Sequence, residues 1–224
     1  MTTPAMAAPK ADLSERLGAW VREHKKLSTY GAGVVLVAVA FFAWSAVSAR
    51  KSEDRAYELL NQARVAFESG NLPLAASEFS RIGENYSGTK SAEEATLLLA
   101  QVRMLQGQSP QAIEILRRFS GSASADFRAQ AYGLLGAAFE NMSQWKDAAE
   151  AYELGARHAQ LPFLQAQFLS DAGRTWGMDG DTTRATAAYQ RILNDLADQP
   201  AAREAEVRLG ELSRGQAVLP KPKQ

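Results

Sequence analysis

Residues 131–156 read AYGLLGAAFENMSQWKDAAEAYELGA, and this stretch decides the fold. Tyr132, Leu135, Gly136 and Phe139 fall on one face of a helix. Ala148, Tyr152 and Gly155 do the same beyond a turn near Ser143. The pattern predicts two antiparallel helices. Gly136 and Ala148 stand where the backbones come closest, since a larger side chain would force them apart, and Tyr132, Phe139 and Tyr152 fill the space on either side. Gly136→Leu is therefore expected to overpack the hairpin by about 1–3 kcal/mol. Glu140, read as an outward side chain, is expected to tolerate truncation to Ala.

The same pattern recurs outward from this copy. The next carries Leu169, Ala172, Gly173 and Trp176, a turn at Asp179-Gly180-Asp181, then Ala185, Tyr189 and Ile192. Two earlier copies keep the second helix, with Gly70-Asn71 before Ala75, Phe79 and Ile82, and Gly107-Gln108 before Ala112, Leu116 and Phe119. Ala63 and Ala100 stand in for the glycine of their first helices. Turn positions 70, 107, 143 and 180 are separated by 37, 36 and 37 residues. The spacing Tyr132-x2-Leu135-Gly136-x2-Phe139 resembles the first helix of a tetratricopeptide repeat, with slightly longer inter-repeat loops. The expected fold is all-α: a transmembrane helix, then a right-handed helical-hairpin solenoid of about four repeats with a capping helix near Ala201 to Leu212. In that cap Val207, Leu209 and Leu212 oppose Arg203, Glu204, Glu206, Arg208 and Glu211.

The transmembrane expectation rests on residues 30–49, YGAGVVLVAVAFFAWSAVSA, which hold no charge. As a helix this run spans about 30 Å, the thickness of a hydrocarbon core. Its Val, Leu and Phe residues favour insertion by roughly 2–5 kcal/mol. Tyr30 and Trp44 lie towards the two ends. A cleaved leader is the competing reading, with Val47-Ser48-Ala49 as the cleavage site, but the run is longer than a signal core and begins late. Arg16, Arg22, Lys25 and Lys26 precede the run, and Arg50, Lys51, Arg55 and Arg64 follow it, so the flanks tie. A long folded domain translocates largely regardless of charge, which places the short basic arm inside and the repeats outside. Four segments follow: an arm at 1–29 whose Leu13, Leu17, Trp20 and Val21 share one helical face, the span at 30–49, repeats at 50–214 and a loose tail at 215–224.

The chemistry is sparse. There are 25 basic and 25 acidic residues and no cysteine, so the basic footprint of nucleic-acid binding is missing, as are disulfides and thiolate chemistry. His24 and His158 have no partner at ligand spacing, Asp179-Gly180-Asp181 lacks the later ligands of a calcium loop, and Gly-rich phosphate or nucleophile motifs are not found. These features predict a non-enzyme with no metal, no cofactor, no nucleic acid and no small-molecule substrate. What remains is the groove that first helices line in such solenoids. Carrying the repeat positions across puts Glu94, Gln101, Met104, Gln130, Glu140, Asn141, Gln167, Ser170 and Arg174 on that face. With only Arg174 and Asn141 to meet a terminal carboxylate, a helical or hydrophobic partner segment is the expected ligand.

The arrangement of basic arm, single span and the segment SEDRAYELLNQARVAFESGN (residues 52–71) leading straight into repeats resembles the YfgM-like family of ancillary SecYEG translocon subunits. The resemblance implies a bacterial inner-membrane protein with its repeats in the periplasm. The implied partners are the secretion channel and a membrane-anchored periplasmic chaperone of prolyl-isomerase type. A scaffold of another cell-envelope assembly and a cytoplasm-facing adaptor are the alternatives.

Overall fold

The computed structural model describes residues 24–213, without the side chains of residues 25–29, 31, 32, 34 and 35. The proposed amphipathic arm and the C-terminal tail lie outside the described residues. The described part is helical, without strands: α1 (Lys25–Glu68), α2 (Leu72–Asn85), α3 (Lys90–Leu105), α4 (Ser109–Ser122), α5 (Ala125–Asn141), α6 (Trp145–His158), α7 (Pro162–Asp179), α8 (Thr182–Asp195) and α9 (Ala201–Leu212). The chain divides into two units, Met1–Lys51 and Ser52–Gln224.

In the first unit the uncharged run is helical throughout, and Leu36, Val37, Phe42 and Trp44 are exposed. Among the described residues no helix is long and apolar enough to cross a membrane.

In the second unit each hairpin closes in the same way. Gly70, Gly107, Ser143 and Gly180 adopt the left-handed conformation, with φ of 78°, 72°, 57° and 87°, at the four turn positions expected from the period. Each donates its N–H to the carbonyl three residues back, and the following residue donates to the carbonyl five back. The pairs are Gly70 to Phe67 and Asn71 to Ala66, Gly107 to Met104 and Gln108 to Arg103, Ser143 to Glu140 and Gln144 to Phe139, and Gly180 to Gly177 and Asp181 to Trp176, all at 2.8–3.2 Å. This pair of bonds satisfies carbonyls that the helix end would leave orphaned. Asn71 and Asp181 then cap the second helix by accepting from the N–H of Leu74 and Arg184.

Glycine sets the packing within a repeat. A Cβ on Gly136 would lie 2.7 Å from the Tyr152 ring, and one on Gly173 2.7 Å from the Tyr189 ring, so each aromatic of the second helix lies flat on the first helix's backbone. Leu135, Phe139, Ala148, Trp176, Ala185, Tyr152 and Tyr189 are buried as the pattern required. Tyr132 is only half-buried and stacks on His158, with ring centroids 5.5 Å apart. The buried residues form two clusters. One is built from α1 to α3 around Leu60, Phe79 and Ile82; the larger runs from α3 to α9 around Leu116, Tyr152, Trp176 and Ile192. The expected capping helix is α9, whose Ala202, Ala205 and Leu209 join the larger cluster.

Candidate functional site

The first helices of successive hairpins, α3, α5 and α7, enclose a cavity of about 320 Å3. Its floor is apolar, made by Leu97 and Leu98 of α3, Leu134 of α5 and Phe168 of α7; Glu94, Gln101 and Gln130 form its polar edge. Gly133 is the key to this geometry. A Cβ there would sit 2.4 Å from Phe168 Cε1, and one on Gly155 3.1 Å from the same ring, so Phe168 is seated on the backbones of α5 and α6. A glycine costs about 1 kcal/mol inside a helix, and a second one three residues from Gly136 therefore signals a packing requirement.

Three of the nine residues expected on the groove, Glu94, Gln101 and Gln130, meet at this cavity. Gln167 and Ser170 line a second cavity of about 430 Å3 together with Phe163, Asp171, Pro200, Ala201 and Glu204. Met104 is half-buried against the core, and Asn141 is exposed at the end of α5, lining neither cavity. The sequence analysis does not single out the apolar floor, because Leu97, Leu98, Leu134 and Phe168 come together only when three helices are placed; the glycine opposite Phe168 is the one local sign of it.

Glu140 and Arg174 are not free groove residues, because they bind each other. Arg174 donates through both terminal nitrogens to the Glu140 carboxylate at 2.7 and 2.8 Å, the Tyr152 hydroxyl donates to Glu140 Oε1 at 2.6 Å, and Arg174 also reaches Asp171 Oδ1 at 3.2 Å. The guanidinium and the carboxylate thus meet fork to fork across adjacent repeats, through two N–H···O bonds, the arrangement in which an Arg–carboxylate pair is strongest. Burial alone would raise the Glu140 carboxyl, but the bonds from Arg174 and then Tyr152 outweigh it and hold it below its ordinary range. Tyr152 is pushed up, first by burial and then by its bond to Glu140. Arg174 is raised chiefly by its bond to Glu140. Burial pushes Tyr189 up to about 12. Two repeats earlier Arg64 of α1 binds Glu94 of α3 through one terminal nitrogen, so ion pairs tie neighbouring first helices at two places, α1 to α3 and α5 to α7.

Carboxylates also tie helix starts to the preceding repeat. Glu53 of α1 accepts from the backbone N–H of Lys90 at 2.7 Å and of Ser91 at 3.1 Å, and from the Ser91 hydroxyl at 2.6 Å. Glu93 of α3 accepts from the N–H and hydroxyl of Ser124 at 2.6 and 2.7 Å. Each places a negative charge on unsatisfied N–H groups at a helix N-terminus. The turn at residues 179–181 is likewise structural, since Asp181 caps α8 and approaches Arg184 Nε at 3.2 Å.

The model of the tetratricopeptide repeat-like domain matches residues 19–214. The chain belongs to that family. Among solved structures, this tetratricopeptide repeat-like chain is similar to the nearly identical repeats of a kinesin light chain from Podosopora anserina (TM-score 0.57, 15% identity, covering 73% of this chain and 87% of that one). It is also similar to MamA (TM-score 0.54, 19% identity, covering 69% of this chain and 84% of that one). At these identities the likeness is one of fold. No curated protein matches the sequence. The tetratricopeptide repeat-like fold suits protein–protein interaction, with the first-helix face as its natural contact surface.

Proposed function

We propose that the chain is a non-catalytic interaction subunit that holds an apolar side chain of a partner protein's helical or extended segment in the cavity between α3, α5 and α7. The observation that carries this reading is the cavity itself: about 320 Å3 of space on the first-helix face, floored by Leu97, Leu98, Leu134 and Phe168, with neutral Gln101 and Gln130 at its edge. A pocket of this kind is where a buried anchor residue contributes most of an interface's binding energy. The polar groups nearby are already engaged, with Glu94 on Arg64 and Glu140 on Arg174 and Tyr152, which suits a scaffold better than a reaction centre.

The finer reading is an inner-membrane subunit beside the secretion channel, anchored through residues 30–49, with its repeats in the periplasm and a membrane-anchored chaperone as a further partner. Its supports are the uncharged run and the resemblance in architecture to YfgM-like subunits. A photo-crosslinking residue at Gln101 or Gln130 is expected to capture channel subunits in intact cells, and Leu134→Asp to abolish the capture. Crosslinks confined to division or outer-membrane assembly proteins would assign the groove to a different machine, and unchanged crosslinks in Leu134→Asp would remove the cavity from the interface. A reporter fused after Leu212 is expected to be active only outside the cytoplasm.

A further inference from the structure

Beyond the apolar cavity, on the other flank of α7, the cavity of about 430 Å3 has a different chemistry. Its charged walls, Asp171 and Glu204, are both carboxylates, and the described residues lining it include no cation. Glu204 accepts from the Ser170 hydroxyl at 3.2 Å, and its other oxygen lies 3.8 Å from Arg208 Nε. Arg208 makes its shorter contact, 3.0 Å, with Glu211. Asp171 takes only the longest of the Arg174 bonds, 3.2 Å, because Glu140 holds the two shorter ones. Four carboxylates therefore share two guanidinium groups, and the two that line the cavity, Asp171 and Glu204, hold the longer contacts. Burial raises the Asp171 carboxyl, Arg174 opposes the rise, and Glu140 and Glu204 add to it. Phe163, 53% exposed, supplies an aromatic wall on which a cation can stack.

We propose that this cavity receives an arginine or lysine side chain of the same segment that the groove holds. The partner segment then carries an apolar residue for the cavity floored by Phe168 and a basic residue for the one walled by Asp171 and Glu204. α7 is the divider, giving Phe168 to one cavity and Phe163, Gln167 and Asp171 to the other. The assignment rests on the groove reading above and adds the sign of charge to it.

The test is selection of a phage-displayed library of short peptides, one leucine fixed and the other positions randomised, on the full-length protein in detergent micelles. The selected peptides are expected to carry Arg or Lys at a constant offset from the leucine. Their binding should weaken about tenfold or more in Asp171→Asn/Glu204→Gln, as loss of a close charge pair does, and the offset position should switch to Asp or Glu on Glu204→Lys. Asparagine and glutamine keep hydrogen-bonding oxygens for Arg174 and Ser170, and unchanged thermal melting separates loss of binding from loss of fold. Peptides that bind, and lose binding in Leu134→Asp, but show no basic preference would overturn this inference and leave the apolar groove standing. Failure to select any peptide sensitive to Leu134→Asp would overturn both.

Discussion

At Gly136 the helix gives up its side chain so that the Tyr152 ring can rest on the backbone, and the ring is itself held by its hydroxyl bond to Glu140. Gly136→Ala therefore puts a methyl group into atoms that cannot easily move, and overpacking outweighs the gain in helix propensity; a loss of about 1 kcal/mol is expected. Gly177→Ala, with nothing within 4 Å of the new carbon, is expected to gain up to about 1 kcal/mol. Thermal melts of the two variants should shift in opposite directions. Glu140 requires a change from its reading as a solvated residue. Truncation to Ala strands Arg174 and removes the partner of Tyr152, so a cost of about 1–2 kcal/mol is expected, moderated because Arg174 is 38% exposed. A double-mutant cycle with Arg174→Ala should return a coupling well above that of an exposed ion pair; purely additive losses would refute it.

Among the elements, the turns were the most legible and the groove the least, for one physical reason. A left-handed residue is a local requirement, and glycine at 70, 107 and 180 announces it; Ser143 was found only because the period demanded a turn there. Residues that meet across repeats carry no such local mark, so Glu140 and Arg174, 34 positions apart, read as two free charges although they are one pair. Leu98, Leu134 and Phe168 likewise come together only when three helices are placed. Ser143 spends free energy on a conformation that its Cβ disfavours, and Ser143→Gly is expected to raise stability by about 1 kcal/mol, read as a higher urea midpoint. The start of α3 makes a pH prediction. Burial would raise the Glu53 carboxyl, but the bonds from the Ser91 hydroxyl and the Lys90 and Ser91 amides hold it below its ordinary 4.5. A depressed carboxyl stabilises the fold above the unfolded value, and that stability is lost as pH falls through 4.5 and below; Glu140 acts in the same direction. Asp171, raised from 3.8, works against them. The urea midpoint should therefore drop between neutral pH and pH 3.5, and less steeply in Glu53→Gln.

For the repeat unit taken whole, the division into two buried clusters sets the order of opening. The cluster around Leu60, Phe79 and Ile82 is built largely of alanine, with Phe79 as its single buried aromatic among the described residues, whereas the other holds Phe139, Tyr152, Phe168, Trp176 and Tyr189. α3 serves both, with Ala92, Ala95, Leu99 and Val102 in the smaller cluster and Leu97 and Ala100 in the larger. Aromatics dominate burial energetics, and neighbouring repeats stabilise one another in sequence. Native-state hydrogen exchange should show the amides of α2 opening at a lower free energy than those of α5 to α8; equal protection would indicate one cooperative unit. The hairpin closures have a consequence of another kind. Because each uses the same two backbone bonds, removing residues 107–142 would join Gln106 directly to Ser143, and the left-handed residue would again follow a helix end with carbonyls three and five positions behind it. Gain or loss of one such segment leaves the punctuation of the chain intact, so the lineage of this protein can lengthen or shorten its reach in whole hairpins by duplicating or deleting a stretch of gene.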